Sequence, residues 1–142
     1  MNDTYNLERF IEAQEKDYAV ALAEIKNGKK RSHWMWYIFP QLLGLGYTSV
    51  SIQYAIKDLD EAKHYLQHEI LGKRLIEISN ALLAIETNDA RKIFGNPDDL
   101  KLRSSMTLFS LVPDADPVFQ LVLNKFYNGK KDERTLQLLK SA

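Results

Sequence analysis

The sequence predicts an all-α fold, a compact single domain over residues 1–142 built from six or seven helices, and three observations carry that prediction. Apolar residues recur at three- and four-residue spacing through most of the chain, as the buried stripe of a helix requires. Two cap-and-proline pairs, Asn96-Pro97 and Asp116-Pro117, mark helix starts. The one alternating run, Val50, Ile52 and Tyr54, has no partner pattern, so it reads as an extended loop or a short helix rather than a strand.

Taken in order, the first helix carries Leu7, Phe10, Ile11, Gln14, Tyr18, Ala21, Leu22 and Ile25 on one stripe. Asn6 or Thr4 is placed to cap it, and Gly28 to end it in left-handed conformation. Gln14 lies within the apolar stripe, so its amide either braces a neighbouring loop or faces a ligand. Arg9 falls on the opposite, solvated face. An aromatic-rich loop or short helix follows near residues 32–46, capped by Ser32 and ended by Pro40. Asp58 or Asp60 starts a short helix through Leu66. Leu71, Leu75, Ile78, Leu82 and Ile85 form the seam of a longer one, and Ile76 and Leu83 add a second stripe that makes it central. A brief turn runs from Asp89 to Phe94 and is closed by Gly95. The helix from Asp98 to Val112 has Leu102, Met106 and Phe109 on one face, Leu100, Leu108 and Leu111 on another, and a polar strip of Arg103, Thr107 and Ser110 between them. Val118 to Tyr127 and a last helix capped by Asp132 complete the chain. No period repeats and no linker divides it.

Composition narrows the function classes. Hydrophobic residues make up 45% and aromatics 11%, enough for a packed core, yet no run approaches the roughly 20 apolar residues of a membrane span. Nineteen basic residues balance nineteen acidic ones, so no net field draws the chain to nucleic acid or an anionic membrane. There is no cysteine, hence no disulfide and no thiolate metal site. The N-terminus lacks a basic-then-apolar signal pattern. These features predict a soluble, cytoplasmic protein with no resident cofactor; an oligomer is compatible with the sequence and specified by nothing in it.

The segment KRSHWMWYIFPQLLGLG, Lys30 to Gly46, concentrates both tryptophans, one of three histidines and two of six glycines in seventeen residues. Trp34 or Trp36 can stack on a flat ring, His33 can change charge near neutral pH, and Gln41 offers a donor and an acceptor. Lys30, Arg31 and Arg103 can pair with phosphate, while Ser32, Ser49, Ser51, Ser104 and Thr107 supply hydroxyls. The same aromatics can equally be core. The candidate ligand-binding set is therefore Gln14, Ser32, Trp34, Trp36, Gln41, Ser49, Arg103 and Ser104, with His33 as candidate catalytic group.

SHWMWYIFPQLLGLG, then Ser49, Ser51 and Tyr54, LGKRL at Leu71 to Leu75, KLRSSMTLF at Lys101 to Phe109, and the pattern Phe126, Gly129, Asp132, Thr135-Leu136 together resemble a small bacterial family catalogued as domain of unknown function eighteen-ten. Its members are sometimes labelled calpastatin, a label nothing in this chain supports. The resemblance runs from about Arg9 to Leu139. It implies an all-helical single domain and a link to nucleotide or ADP-ribose metabolism, because similar domains occur beside modules of that kind. Where that family has His-Pro this chain has His68-Glu69, which bears on a helix start.

Reaction signatures are missing: there is no phosphate loop, no Gly-x-Gly-x-x-Gly, no His-Glu-x-x-His and no Gly-x-Ser-x-Gly. His64 and His68 share a helix spacing that suits a metal, yet they fall at a solvated helix end, so no metal site is assigned. Three readings follow. The first is a binding domain for a nucleotide or ADP-ribose-like anion. The second is a small hydrolase-type enzyme using His33, and the third is a protein-interaction module presenting an aromatic patch.

Overall fold

Burial at helical spacing builds the long elements of the computed structural model, which describes residues 4–141. Helix α1 (Glu8–Lys26) buries Phe10, Gln14, Ala21 and Ile25 on the predicted stripe. It is followed by α2 (Met35–Ile38), α3 (Ser49–Gln53), α4 (Leu59–Gln67), α5 (Leu71–Ala84), α6 (Ala90–Phe94), α7 (Asp98–Ser110), α8 (Val118–Tyr127) and α9 (Glu133–Ser141). The described residues thus form nine helices rather than six or seven, all-α as the spacing predicts. The excess comes from α2, α3 and α6, which have only four or five residues each. A parallel bridge joins Leu42 to Ile56.

Helix α5 packs against α1, α4 and α8, and α7 against α4, α6, α8 and α9. In α7 every residue from Ser104 to Phe109 is buried, so the second half of this helix is enclosed while its first turn, with Leu100, stays open to solvent. Small hydroxyl residues suit that position because they return their hydrogen bonds to their own helix: Ser104 Oγ donates to Leu100 O at 3.2 Å and Thr107 Oγ1 to Arg103 O at 2.8 Å. Helices α4 and α5 meet at Gly72, where an added Cβ would stand 2.1 Å from Leu66 O.

Several helix starts differ from the sequence reading. Neither Thr4 nor Asn6 caps α1, whose N-cap position is Leu7; Asn6 instead takes φ 52° and turns the chain into the helix. Pro97 and Pro117 themselves occupy N-cap positions, and Asp116 Oδ1 accepts from Val118 N at 2.8 Å. Asp58 and Asp132 cap α4 and α9 as predicted. At the His68-Glu69 step, His68 Nδ1 accepts from Ile70 N (3.1 Å) and Leu71 N (3.3 Å), so the imidazole performs the capping that starts α5. His64 Nδ1 lies against Asp60 O, and no group of three His, Cys, Asp or Glu among the described residues is placed to hold a metal.

Buried polar side chains tie the irregular segments to the helices. Arg9 is not a free solvated residue. Its guanidinium donates to Tyr5 O, Asn6 O, Gln53 O, Ala55 O and Glu61 Oε2 at 2.6–2.9 Å, which uses all five of its N–H groups. A helical wheel does not show this because three of the acceptors, on α3, α4 and the turn between them, lie far along the chain. Gln14, 2% exposed, donates to Tyr37 O (2.7 Å) and Tyr65 OH (3.0 Å) and accepts from Arg74 Nη1 (3.3 Å). Lys125 donates to the carbonyls of Leu82, Leu83 and Ile85, closing the C-terminal end of α5, and burial lowers its ammonium pKa.

Glu24, in the last turns of α1, anchors the aromatic segment. Its Oε1 accepts from Arg31 N (2.9 Å), Ser32 N (3.1 Å) and Trp34 Nε1 (2.8 Å), and its Oε2 from Ser32 Oγ (2.7 Å). Ser32 is therefore committed to Glu24 and does not cap α2. Burial alone would raise this carboxyl, but the four hydrogen bonds outweigh it and hold the pKa at about 2.

Two outcomes follow. Gly72→Ala forces backbone apart and lowers stability by about 1–3 kcal/mol, read by chemical denaturation. Glu24→Gln costs about 1.5–3 kcal/mol at pH 7, the scale of a hydrogen bond to a charged group. Because the folded carboxyl titrates below its unfolded value, this stabilisation is complete above about pH 4.5 and is lost as pH falls toward 2. The stability gap between wild type and Glu24→Gln therefore narrows across that window, and a constant gap would contradict the assignment.

Candidate functional site

Beyond the Glu24 anchor, α2 places consecutive aromatics on different sides. Trp34, 1% exposed, packs among Phe39 and Phe94, whereas Trp36 is half-buried and turned toward the segment that follows. That segment is held by two backbone bonds, Ile56 N to Gln41 O and Leu43 N to Ile56 O, both 2.8 Å. It then presses against α3 at Gly46, where any Cβ would lie 2.7 Å from Ser51 Cβ and Oγ, so only glycine permits the approach. Thr48 caps α3 and donates from Oγ1 to Ser51 Oγ at 2.8 Å.

This packing leaves a cleft of about 320 Å³ between the 41–51 segment and the faces of α7 and α9. Gln41, Gly46, Tyr47 and Ser51 form one side; Leu100, Lys101 and Ser104 from α7 face them, with Asp132 and Arg134 at the α9 end. A smaller recess of about 10 Å³, the scale of one water, carries Trp36 and Tyr54 and shares Gln41, Gly46 and Ser51 with the cleft. The mouth is open: Tyr47 is 78% and Leu100 47% exposed.

Two cations reach this space. Lys101 Nζ lies 5.5 Å from the Trp36 ring centroid and 3.4 Å from Asp98 Oδ1. Asp98 is also bound by Lys30 at 3.0 Å. Arg134 Nη2 donates to Tyr47 OH at 3.2 Å, and no carboxylate among the described residues pairs with it. Asp132 is the acid in the lining, but its Oδ2 accepts from Thr135 N and Oγ1, and Arg103 Nη2 stands 3.7 Å from Oδ1. No histidine lines the cleft.

Of the residues singled out in the sequence, Gln41, Ser51 and Ser104 meet in the cleft and Trp36 lies in the recess beside it. The rest are elsewhere. Trp34 and Ser32 are bound to Glu24, and Gln14 braces α1 against Tyr37 and Tyr65. Ser49 is exposed at the first turn of α3. Arg103 faces the contact between α7 and the last two helices, with its guanidinium 5.9 Å from the Tyr127 ring and near Asp132. His33 is exposed, outside the cleft, and its side chain makes no hydrogen bond among the described residues. Tyr47, Lys101 and Arg134 were not singled out. Tyr47 carried a readable signal, an aromatic directly after the Gly44-Leu45-Gly46 turn; Arg134 carried none.

Two larger hollows lack this chemistry. One of about 540 Å³ sets Lys63 beside Asp114 and Asp116, and one of about 500 Å³ sets Arg91 beside Asp89 and Asp99, so acid outweighs base in both.

Comparison with known proteins places the chain. No protein of curated function matches it. A solved structure that does is the conserved hypothetical protein Rv1873 from Mycobacterium tuberculosis, 46% identical, with a TM-score of 0.95 over 97% of this chain and 99% of that one. The family profile described as "Protein of unknown function (DUF1810)" matches residues 4–139. The chain belongs to that family.

Proposed function

We propose that the cleft between the 41–51 segment, α7 and α9 binds a small organic anion bearing a flat ring, nucleotide-like in its chemistry. One observation carries this reading: Lys101 and Arg134 line the same space as exposed Tyr47, and Arg134 is held by a neutral phenol rather than a carboxylate. An arginine left in that state has donors to offer an incoming anion at little cost, since no ion pair must first be broken. Gln41, whose side chain makes no hydrogen bond among the described residues, supplies a further donor and acceptor. Tyr47 provides a face for a ring, and Trp36 and Tyr54 wall the inner recess. The volume, about 320 Å³, lies at the small end of the roughly 300–1,000 Å³ typical of ligand pockets.

Titration calorimetry and thermal melting with a panel of nucleotides, ADP-ribose included, test the reading. A binding nucleotide raises the melting temperature of the wild-type protein by mass action. Lys101→Met and Arg134→Gln each weaken binding at least about tenfold, or about 1.4 kcal/mol, while His33→Ala leaves it unchanged. Absence of binding across the panel at millimolar concentration, or binding indifferent to both cation substitutions, would overturn it.

A further inference from the structure

Lys101 and Arg134 set the sign of a ligand in the cleft, but the group placed to read its uncharged part is Gln41. Among the described residues three side-chain amides are not exposed, those of Gln14, Gln41 and Gln120. Gln14 makes three hydrogen bonds within the protein, and Gln120 donates to Asn124 Oδ1 at 3.0 Å and accepts from Lys131 Nζ at 2.6 Å. The Gln41 amide makes none among the described residues, although it lines the cleft half-buried. Its backbone is nonetheless fixed: Gln41 O accepts from Ile56 N at 2.8 Å, and its neighbours Pro40 and Leu42 are buried. The hydroxyls of the cleft are partly spent, since Ser104 Oγ donates to Leu100 O and Ser51 Oγ accepts from Thr48 Oγ1.

Resting on the reading of this cleft as an anion site, we infer that Gln41 is its specificity-determining residue. The ligand's ring is then a nitrogen heterocycle with an N–H donor beside an acceptor on its edge, as every nucleobase has. A primary amide carries a carbonyl acceptor next to an N–H donor, so it makes two parallel hydrogen bonds only to an edge bearing the converse pair. Glutamine reads base edges in nucleic acids by the same geometry. A carbocyclic aromatic acid offers an anion and a flat face but no such pair, and on entering it would strip solvent from the amide without replacing those bonds. With neither end tied to another described residue, the amide can turn over and meet the pair in either order, so the pairing rather than one base is selected. The anion is held by Lys101 and Arg134, Tyr47 supplies a face for the ring, and Gln41 bonds its edge.

The experiment titrates the four ribonucleoside 5′-monophosphates separately by calorimetry. The tightest binder is then compared with its counterpart lacking the N–H of that edge: purine riboside 5′-monophosphate for a purine, pyrimidin-2-one riboside 5′-monophosphate for a pyrimidine. Both counterparts keep the phosphate, the sugar and a ring to stack. The wild-type protein is expected to prefer the nucleotide about tenfold, the scale of a bidentate amide–base pair. Gln41→Met, close to glutamine in shape and with its fold checked by thermal melting, should bring the nucleotide down to its counterpart while the counterpart's own affinity stays the same. Gln41→Glu, which presents two acceptors, should raise the guanine nucleotide in the ranking, because guanine carries two N–H donors side by side. Equal binding of nucleotide and counterpart by the wild type, a preference that survives Gln41→Met, or a ranking unmoved by Gln41→Glu would overturn the assignment of Gln41 while leaving an anion site in place. If none of the nucleotides binds at millimolar concentration, the site and this inference fall together.

Discussion

The carboxylate of Glu24 sets the course of the chain between its first helix and everything that follows. A chain leaving α1 at Asn27 has unpaired backbone N–H groups and two large indoles to place within nine residues. Glu24 satisfies Arg31 N, Ser32 N and the Trp34 indole N–H from one side chain, so Trp34 enters the core with its polar atom paired. Once Trp34 is inside, the single turn of α2 turns Trp36 away from it. Core and recess beside the cleft are thus assigned by one anchor and the rotation of a short helix, although the two tryptophans are only two residues apart.

The same economy recurs across the fold. Segments too short for regular structure still have backbone groups that must be paired when buried. Long polar side chains on the helices do this work: Arg9 collects carbonyls from the N-terminal turn and from Gln53 and Ala55, Gln14 holds Tyr37 O, and Lys125 closes the end of α5. Consequently the 41–56 segment, which forms one side of the cleft, is fixed at Ile56 by its bridge and at Gln53 and Ala55 by Arg9. Tyr47, by contrast, stands exposed at the mouth, its hydroxyl held among the described residues by Arg134.

How much of this was legible in the sequence depended on the range of the physics involved. The stripes of α1, α5 and α8 could be read because helical periodicity is local, and Asp58 and Asp132 could be read as caps for the same reason. The short helices α2, α3 and α6 were underread because four or five residues span little more than a turn and give no period to detect. Pro97 and Pro117 fell one position from the expected register because a proline fits the start of a helix in more than one place. Gln14 was correctly suspected as a buried amide, with bracing and ligand contact both open; geometry decided for bracing. Arg9 was misjudged because a wheel reads one helix alone and carries no trace of acceptors as distant in sequence as Gln53, Ala55 and Glu61. The cleft was half visible. Trp36, Gln41 and Ser104 stood out by residue type, but Arg134 lies 87 positions from Tyr47, and nothing local announces a contact of that range.

The central claim, that neighbouring tryptophans divide between the core and the margin of the proposed binding cleft, is tested most directly by single-tryptophan fluorescence. The Trp36→Phe protein, retaining Trp34, should emit in the blue, resist quenching by acrylamide and ignore a bound nucleotide. The Trp34→Phe protein, retaining Trp36, should be quenched more readily and change its emission when a nucleotide enters the cleft. A Trp34 emission that shifts with the nucleotide while Trp36 stays silent would contradict the account.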